Sequence, residues 1–225
     1  MISELFTNIM VIMEMIGTIA FAISGALVAI GCSLDIFGVV FIGCITATGG
    51  GVLRDLLLGI TPPAIFSHVY IFFVAALTSV AVFIFAAIHR QRFYPLRNKI
   101  EHINNIFDAI GLAAFSVTGT EIACNQGFTD NIFLVISMGM ITGIGGGIIR
   151  DILVDETPYV LKKDIYALPS FLGSLFYYSL QQYLNQPFLS TMLAVIIVVS
   201  IRLMASKYHW KLPQIKLEEN KNIQQ

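Results

Sequence analysis

The residues best placed to do chemistry are two Arg-Asp dipeptides, Arg54–Asp55 and Arg150–Asp151, each inside an apolar run. Each follows three consecutive glycines, Gly49, Gly50 and Gly51 before the first and Gly145, Gly146 and Gly147 before the second. An arginine near hydrocarbon depth costs roughly 2.5 to 3.5 kcal/mol on insertion scales. Each glycine weakens a helix by about 1 kcal/mol relative to alanine. Features that unfavourable, placed twice in the same order, argue for a use. A glycine triplet lets a helix bend or break, and the freed backbone groups then need protein, water or an ion as partner. The chemistry this suggests is passage or binding of a small polar species along a kinked pair of helices. The alternative is close helix–helix packing by small residues, which would account for one triplet more readily than for two.

The two blocks belong to a longer repeat. GCITATGGGVLRDLLLGITP, from Gly43 to Pro62, recurs as GMITGIGGGIIRDILVDETP from Gly139 to Pro158. Upstream, Ile16-Gly17, Ala20-Phe21 and Gly25 match Ile110-Gly111, Ala114-Phe115 and Gly119, and Glu14 meets Asp108, acid for acid. Downstream, Tyr70 meets Tyr166. Adjacent helical residues point about 100° apart, so an Arg-Asp dipeptide pairs poorly with itself. The expected ion pairs are therefore Arg54–Glu14 and Arg150–Asp108, with Glu121 a further acid at the level of Arg54 and with Asp55 and Asp151 beside the arginines. Such pairs fit a gate, and equally fit structural ties that pin kinked helices.

The elements that carry these residues are membrane spans. The 225-residue chain is 56% hydrophobic and only 12% charged, against about 25% charged in a soluble domain. Seven apolar segments, about 8–31, 37–58, 68–89, 103–125, 131–154, 165–184 and 187–205, are each long enough to cross ~30 Å of hydrocarbon. The first is too long for a signal-peptide core and reads as a retained span. The chain thus divides into a seven-span domain over 1–206, with repeat one at about 8–89, repeat two at about 103–184 and an unpaired seventh span at about 187–205, and a polar tail over 207–225 in which Trp210 suits the headgroup level. Because each repeat holds an odd number of spans, the two copies cross in opposite senses, the inverted-topology arrangement common in transporters. Basic residues gather on one side: Arg90, Arg92, Arg97 and Lys99 between spans three and four, Lys162 and Lys163 between spans five and six, and Lys207, Lys211, Lys216 and Lys221 in the tail. The positive-inside rule then puts the N-terminus outside and the C-terminus in the cytoplasm.

Other chemistries find little support. GIGGG at 143–147 leaves G-x-G-x-x-G incomplete, no phosphate-loop GK[ST] exists, and no strand precedes either glycine block. Cys32, Cys44 and Cys124 show no ligand or CxxC spacing and read as packing residues, and His68, His89, His102 and His209 sit at span ends. No catalytic set, metal site, cofactor or nucleic-acid partner is expected.

Two copies of GGGxxRD in three-span repeats, plus a seventh span, resemble the prokaryotic branch of the trimeric intracellular cation (TRIC) channel family, also described as a bacterial glycine-transporter domain. The resemblance covers about residues 8 to 205. It implies a homotrimer in the bacterial plasma (inner) membrane, among lipids, with a pore in each subunit. It further implies kinks at Gly49–Gly51 and Gly145–Gly147 and permeation by potassium or another monovalent cation. The alternative is a carrier of a small amino acid, glycine first. The copies differ at two places: Gly59-Ile60 becomes Asp155-Glu156, and Ala47-Thr48 becomes Gly143-Ile144. The two extra acids suit either a cation-concentrating mouth or an ordinary solvated loop.

Overall fold

The computed structural model describes residues 2–89, 97–162, 165–184, 186–208 and 210, with the side chains of 2–5, 97–100 and 162 outside the description. The described residues are helical throughout: α1 (Ile2–Gly31), α2 (Ile36–Leu58), the short α3 (Ala64–Ser67), α4 (Tyr70–Ile88), α5 (Arg97–Ala123), α6 (Ile132–Leu153), the short α7 (Tyr159–Lys162), α8 (Ala167–Leu184) and α9 (Pro187–Tyr208). Local signals set the ends of the two helices that bear the glycine blocks. Asp35 caps α2 by accepting from the Gly38 N–H at 2.8 Å, and Asn131 caps α6 by accepting from the Leu134 N–H at 3.1 Å. At the other end the chain turns left-handed, at Gly59 (φ 72°) after α2 and at Asp155 (φ 59°) after α6. In both turns the next residue donates back across the helix end, Ile60 to the Asp55 carbonyl and Glu156 to the Asp151 carbonyl, each at 2.8 Å. A π-helical turn over Cys124–Phe128, containing Gly127 at φ 87°, closes α5.

Six of these helices are long and apolar enough to cross a membrane: α1 over Phe6–Gly31, α2, α4, α5 with its π turn over Glu101–Phe128, α6 and α9. The seventh expected span forms α8, a helix of 18 residues that falls short of that standard. The reason lies in its composition. Gln181 and Gln182 in its last turn lower its hydropathy most, and the buried Pro169, Ser170, Gly173, Ser174 and Tyr177 add little apolar character.

Helix α1 packs on α2, α4 and α5, α2 packs on α6, and α5 packs on α6, α8 and α9. Small residues make these contacts close. A Cβ on Gly25 would meet Thr46 and the Gly43 backbone, and one on Gly119 would meet Thr142 and the Met138 carbonyl. The hydroxyls so enclosed donate to their own helix, Thr46 to the Ile42 carbonyl at 2.7 Å and Thr142 to the Met138 carbonyl at 2.6 Å, which satisfies them without water. The outward face of α4 shows Phe72, Phe73, Leu77, Phe85 and Ile88, an apolar surface suited to lipid or to another subunit.

The basic loops that set the expected orientation lie outside the described residues: Arg90 and Arg92, the side chains of Arg97, Lys99, Lys162 and Lys163, and Lys211, Lys216 and Lys221. So does most of the polar tail; Trp210, within it, is exposed. Of the cysteines, Cys44 is buried as a packing residue, Cys124 is half-buried, and Cys32 is exposed just past α1, where it packs little.

Candidate functional site

Helices α2 and α6 run without interruption through both glycine triplets. The triplets sit where the two helices cross. A Cβ on Gly50 would strike the Thr142 carbonyl, and a Cβ on Gly146 would strike the Thr46 carbonyl. The backbones touch at these middle glycines, so close packing is one use of the motif. Of the outer members only Gly51 is free, where a Cβ would meet the Arg54 Nη2 at 3.7 Å; on Gly49, Gly145 and Gly147 it would come within 2.8 to 3.1 Å of Ile149, of Gly50 and Leu53, and of the Tyr166 hydroxyl.

One turn beyond each triplet lies a buried charge cluster. In the first, the Arg54 Nε and Nη2 donate to Asp55 Oδ1 at 2.8 and 2.7 Å, and the Ala64 N–H donates to Asp55 Oδ2 at 2.8 Å. Both side chains are buried. The expected Arg54–Glu14 pair does not form. A 100° offset governs where Cβ atoms point, but the arginine stem is long enough to fold its guanidinium back onto its neighbour, and Asp55 is held still by the start of α3. Glu14, half-buried on α1, instead faces a cavity of about 30 Å³ that it shares with Thr18, Thr48, Gly51, Arg54 and Asp55. Thr18 is fully buried and its hydroxyl has no hydrogen-bond partner in the protein.

The second cluster is tighter. Arg150 donates through Nε to Asp151 Oδ1 at 2.8 Å, and through Nη1 to Asp108 Oδ1 at 3.1 Å and Ser24 Oγ at 2.7 Å. The expected Arg150–Asp108 pair is therefore present, together with an Arg150–Asp151 pair. Asp151 Oδ2 accepts from the Tyr159 N–H at 2.9 Å, the counterpart of the Asp55–Ala64 bond. Ser24 in turn donates its hydroxyl to Asn104 Oδ1 at 2.7 Å. Arg202, reaching in from α9, places Nη2 4.0 Å from Asp108 Oδ2 and lies over the Tyr166 ring at 4.7 Å. All of these side chains are buried. Two further guanidinium atoms of Arg202 (Nε and Nη1) and one of Arg150 (Nη2) have no partner in the protein.

Glu121 belongs to neither cluster. It is buried near the end of α5 and accepts from the Tyr177 hydroxyl at 2.9 Å, so its partner is a phenol rather than the ion-pair partner expected. Sequence reasoning missed Thr18, Ser24, Asn104 and Arg202. Arg202 alone carried a usable signal, since an arginine inside an apolar run is a site candidate by its cost; the hydroxyls and the amide look like ordinary helix residues.

The clusters lie at different depths. Glu14 and Ser24 stand ten residues apart on one helix, or about 15 Å at 1.5 Å per residue, which is half a hydrocarbon core. Fold and site together define a polytopic helical membrane protein with ionised groups buried at two levels. A family model described as "Glycine transporter" matches residues 11–87 and again 105–182. The chain belongs to that family. It is similar to the UPF0126 membrane protein YvgT of Bacillus subtilis, 38% identical over 205 residues with 90% of this chain and 94% of the relative covered. It is also similar to the UPF0126 inner membrane protein YadS of Escherichia coli K12, 34% identical over 209 residues with 92% and 97% covered. Among solved structures, a prokaryotic TRIC channel in 0.5 M KCl is 37% identical, with a TM-score of 0.81 and 92% and 100% of the two chains covered. The TRIC trimeric intracellular cation channel orthologue from Rhodobacter sphaeroides is 30% identical, with a TM-score of 0.80 and 89% and 98% covered.

Proposed function

We propose that the chain forms a passive pathway for a monovalent cation, potassium first, through each subunit of a homotrimer in the bacterial inner membrane. The observation that carries this reading is the pair of charge clusters, about 15 Å apart along α1, on either side of the α2–α6 glycine crossing. The likeness to solved cation channels supports it. In this reading α8 completes seven spans, and α1–α4 and α5–α8 are inverted repeats. The N-terminus then lies outside and the C-terminus in the cytoplasm. The glycine triplets act as kinks on opening, when the backbones that touch at Gly50 and Gly146 part. Arg54 and Arg150, paired with carboxylates, hold the closed packing without presenting free positive charge to a cation.

A second reading is a carrier of a small amino acid. The first cavity favours it in one respect: Glu14 and Arg54 line the same space, and a zwitterion carries the complementary charges. Liposomes loaded with a potassium-sensitive dye, and parallel liposomes given labelled glycine, separate the two. Potassium flux without saturable glycine uptake supports the channel; saturable glycine uptake without dissipative potassium flux replaces it with the carrier.

A further inference from the structure

The two charge clusters occupy equivalent places in the sequence repeat, yet their electrostatics differ. In the second, Asp108 and Asp151 face two guanidinium groups, because Arg202 adds its own, and the charge cancels. In the first, Glu14 and Asp55 share the single guanidinium of Arg54, which bonds Asp55. Asp55 is already engaged by Arg54 and the Ala64 N–H, which leaves Glu14 with no ion pair to Arg54 within the cavity they share. A carboxylate at this depth is costly without a positive partner. The other groups close enough to feel its charge are His68 and Tyr70.

A second, independent observation points to a ligand. Thr18 is fully buried, lines the same cavity one helical turn on from Glu14, and its hydroxyl oxygen has no partner in the protein. Thr48 lines it too; its hydroxyl proton goes to the Cys44 carbonyl at 2.8 Å, which leaves the oxygen's lone pairs for another partner. Phe115 and Ile71 close the apolar sides. We propose that this cavity is a binding site for a single positive charge, an alkali ion or an ammonium group, coordinated by the Glu14 carboxylate and the Thr18 and Thr48 hydroxyl oxygens. The volume of about 30 Å³ corresponds to roughly two water-sized spheres, enough for a bare monocation but not for a whole amino acid. The first cluster is then a cation site, and its charge balance sets it apart from the second, although the sequence repeat presents them as equals.

The proposal deepens the pathway reading and rests on it for the direction from which the cation arrives, but binding is measurable without conduction. Purified full-length protein in detergent is melted in KCl and in N-methylglucamine chloride of equal ionic strength, as wild type and as Glu14→Gln, Thr18→Val and Thr18→Ser. A ligand that binds only the folded state raises the melting temperature in a saturable way. Potassium is expected to stabilise the wild type and Thr18→Ser alike. Glu14→Gln and Thr18→Val are expected to raise the half-saturating potassium concentration about tenfold or more, the loss of one hydrogen-bond-strength contact to a charge. Methylammonium in place of potassium decides between the sources: stabilisation by both ions through Glu14 assigns a general monocation site, and stabilisation by potassium alone assigns an alkali-ion site. An unchanged potassium dependence in Glu14→Gln, or no potassium effect on the wild type, overturns the site. If Glu14→Gln keeps that dependence while the wild type conducts, the site falls and the pathway stands. If the wild type binds potassium through Glu14 and carries no current, the pathway falls and the site stands.

Discussion

Phe21 and Phe115 meet with ring centroids 5.3 Å apart and planes tilted by 48°. They occupy matching positions in the two halves of the sequence. Phe115 lines the Glu14 cavity, and Phe21 lies against Gly111 and Gly146 near the α2–α6 crossing. An aromatic pair across a narrow polar route excludes water, and a dewetted constriction stops ions as effectively as a solid plug. Replacing Phe115 by Leu, which keeps the site apolar but shortens the side chain, is expected to raise basal potassium flux into liposomes above the wild-type level. An unchanged flux would remove the pair from the pathway.

The glycine triplets should respond position by position. Gly50→Ala pushes a methyl into the Thr142 carbonyl, backbone against backbone, so α2 and α6 must separate. The expected loss is about 1 to 3 kcal/mol, the usual range for overpacking. Gly51→Ala meets only the end of Arg54 and adds helix propensity, so it should be neutral or stabilise by about 0.4 to 1 kcal/mol. Thermal melting of the two variants side by side checks this. Equal effects would mean that the triplet is not divided between packing and open positions.

This division marks the limit of what the sequence could tell. The doubled Gly-Gly-Gly-x-x-Arg-Asp block identified the crossing helices and the buried arginines, because both features are costly and so conspicuous. It did not separate Gly50 from Gly51, since that depends on which face of α2 meets α6. The Arg150–Asp108 pair was legible from the matched acids, whereas the Arg54–Asp55 and Arg150–Asp151 pairs were not, because each carboxylate is fixed by a backbone N–H, of Ala64 or Tyr159, in the chain after the helix. Apolar length gives seven spans; α8 falls short because two glutamines lie in its last turn and its buried face is made of a proline, serines, a glycine and a tyrosine.

The charge clusters predict opposite sensitivities in the two halves. Asp108→Asn keeps the shape but leaves Arg150 and Arg202 short of negative charge in a fully buried setting. Breaking a buried pair from one side costs about 3 to 5 kcal/mol, so this variant should melt far below wild type or fail to accumulate. Glu14→Gln removes a half-buried carboxylate that holds no direct ion pair, and it should fold normally in potassium-free buffer. A Glu14→Gln protein as unstable as Asp108→Asn would show that the first acid is also a structural tie.

The left-handed turn after α6 offers a stabilising change. Asp155 sits at φ 59° in the place that Gly59 fills, at φ 72°, after α2. A left-handed conformation costs a non-glycine residue roughly 1 to 2 kcal/mol, somewhat less for aspartate. Asp155→Gly is therefore expected to raise stability by about 1 kcal/mol or less, read as a higher melting temperature, provided the carboxylate does nothing else. A fall in potassium flux in that variant, with stability raised, would show that the acid serves the pathway mouth instead.

Channel and carrier part most sharply in a recording from purified protein in planar bilayers under a potassium gradient, with glycine added afterwards. Discrete unitary currents that reverse near the potassium equilibrium potential and are indifferent to glycine are expected. A silent bilayer, with saturable glycine uptake by the same preparation in liposomes, would contradict the channel and turn the glycine crossing into part of a carrier.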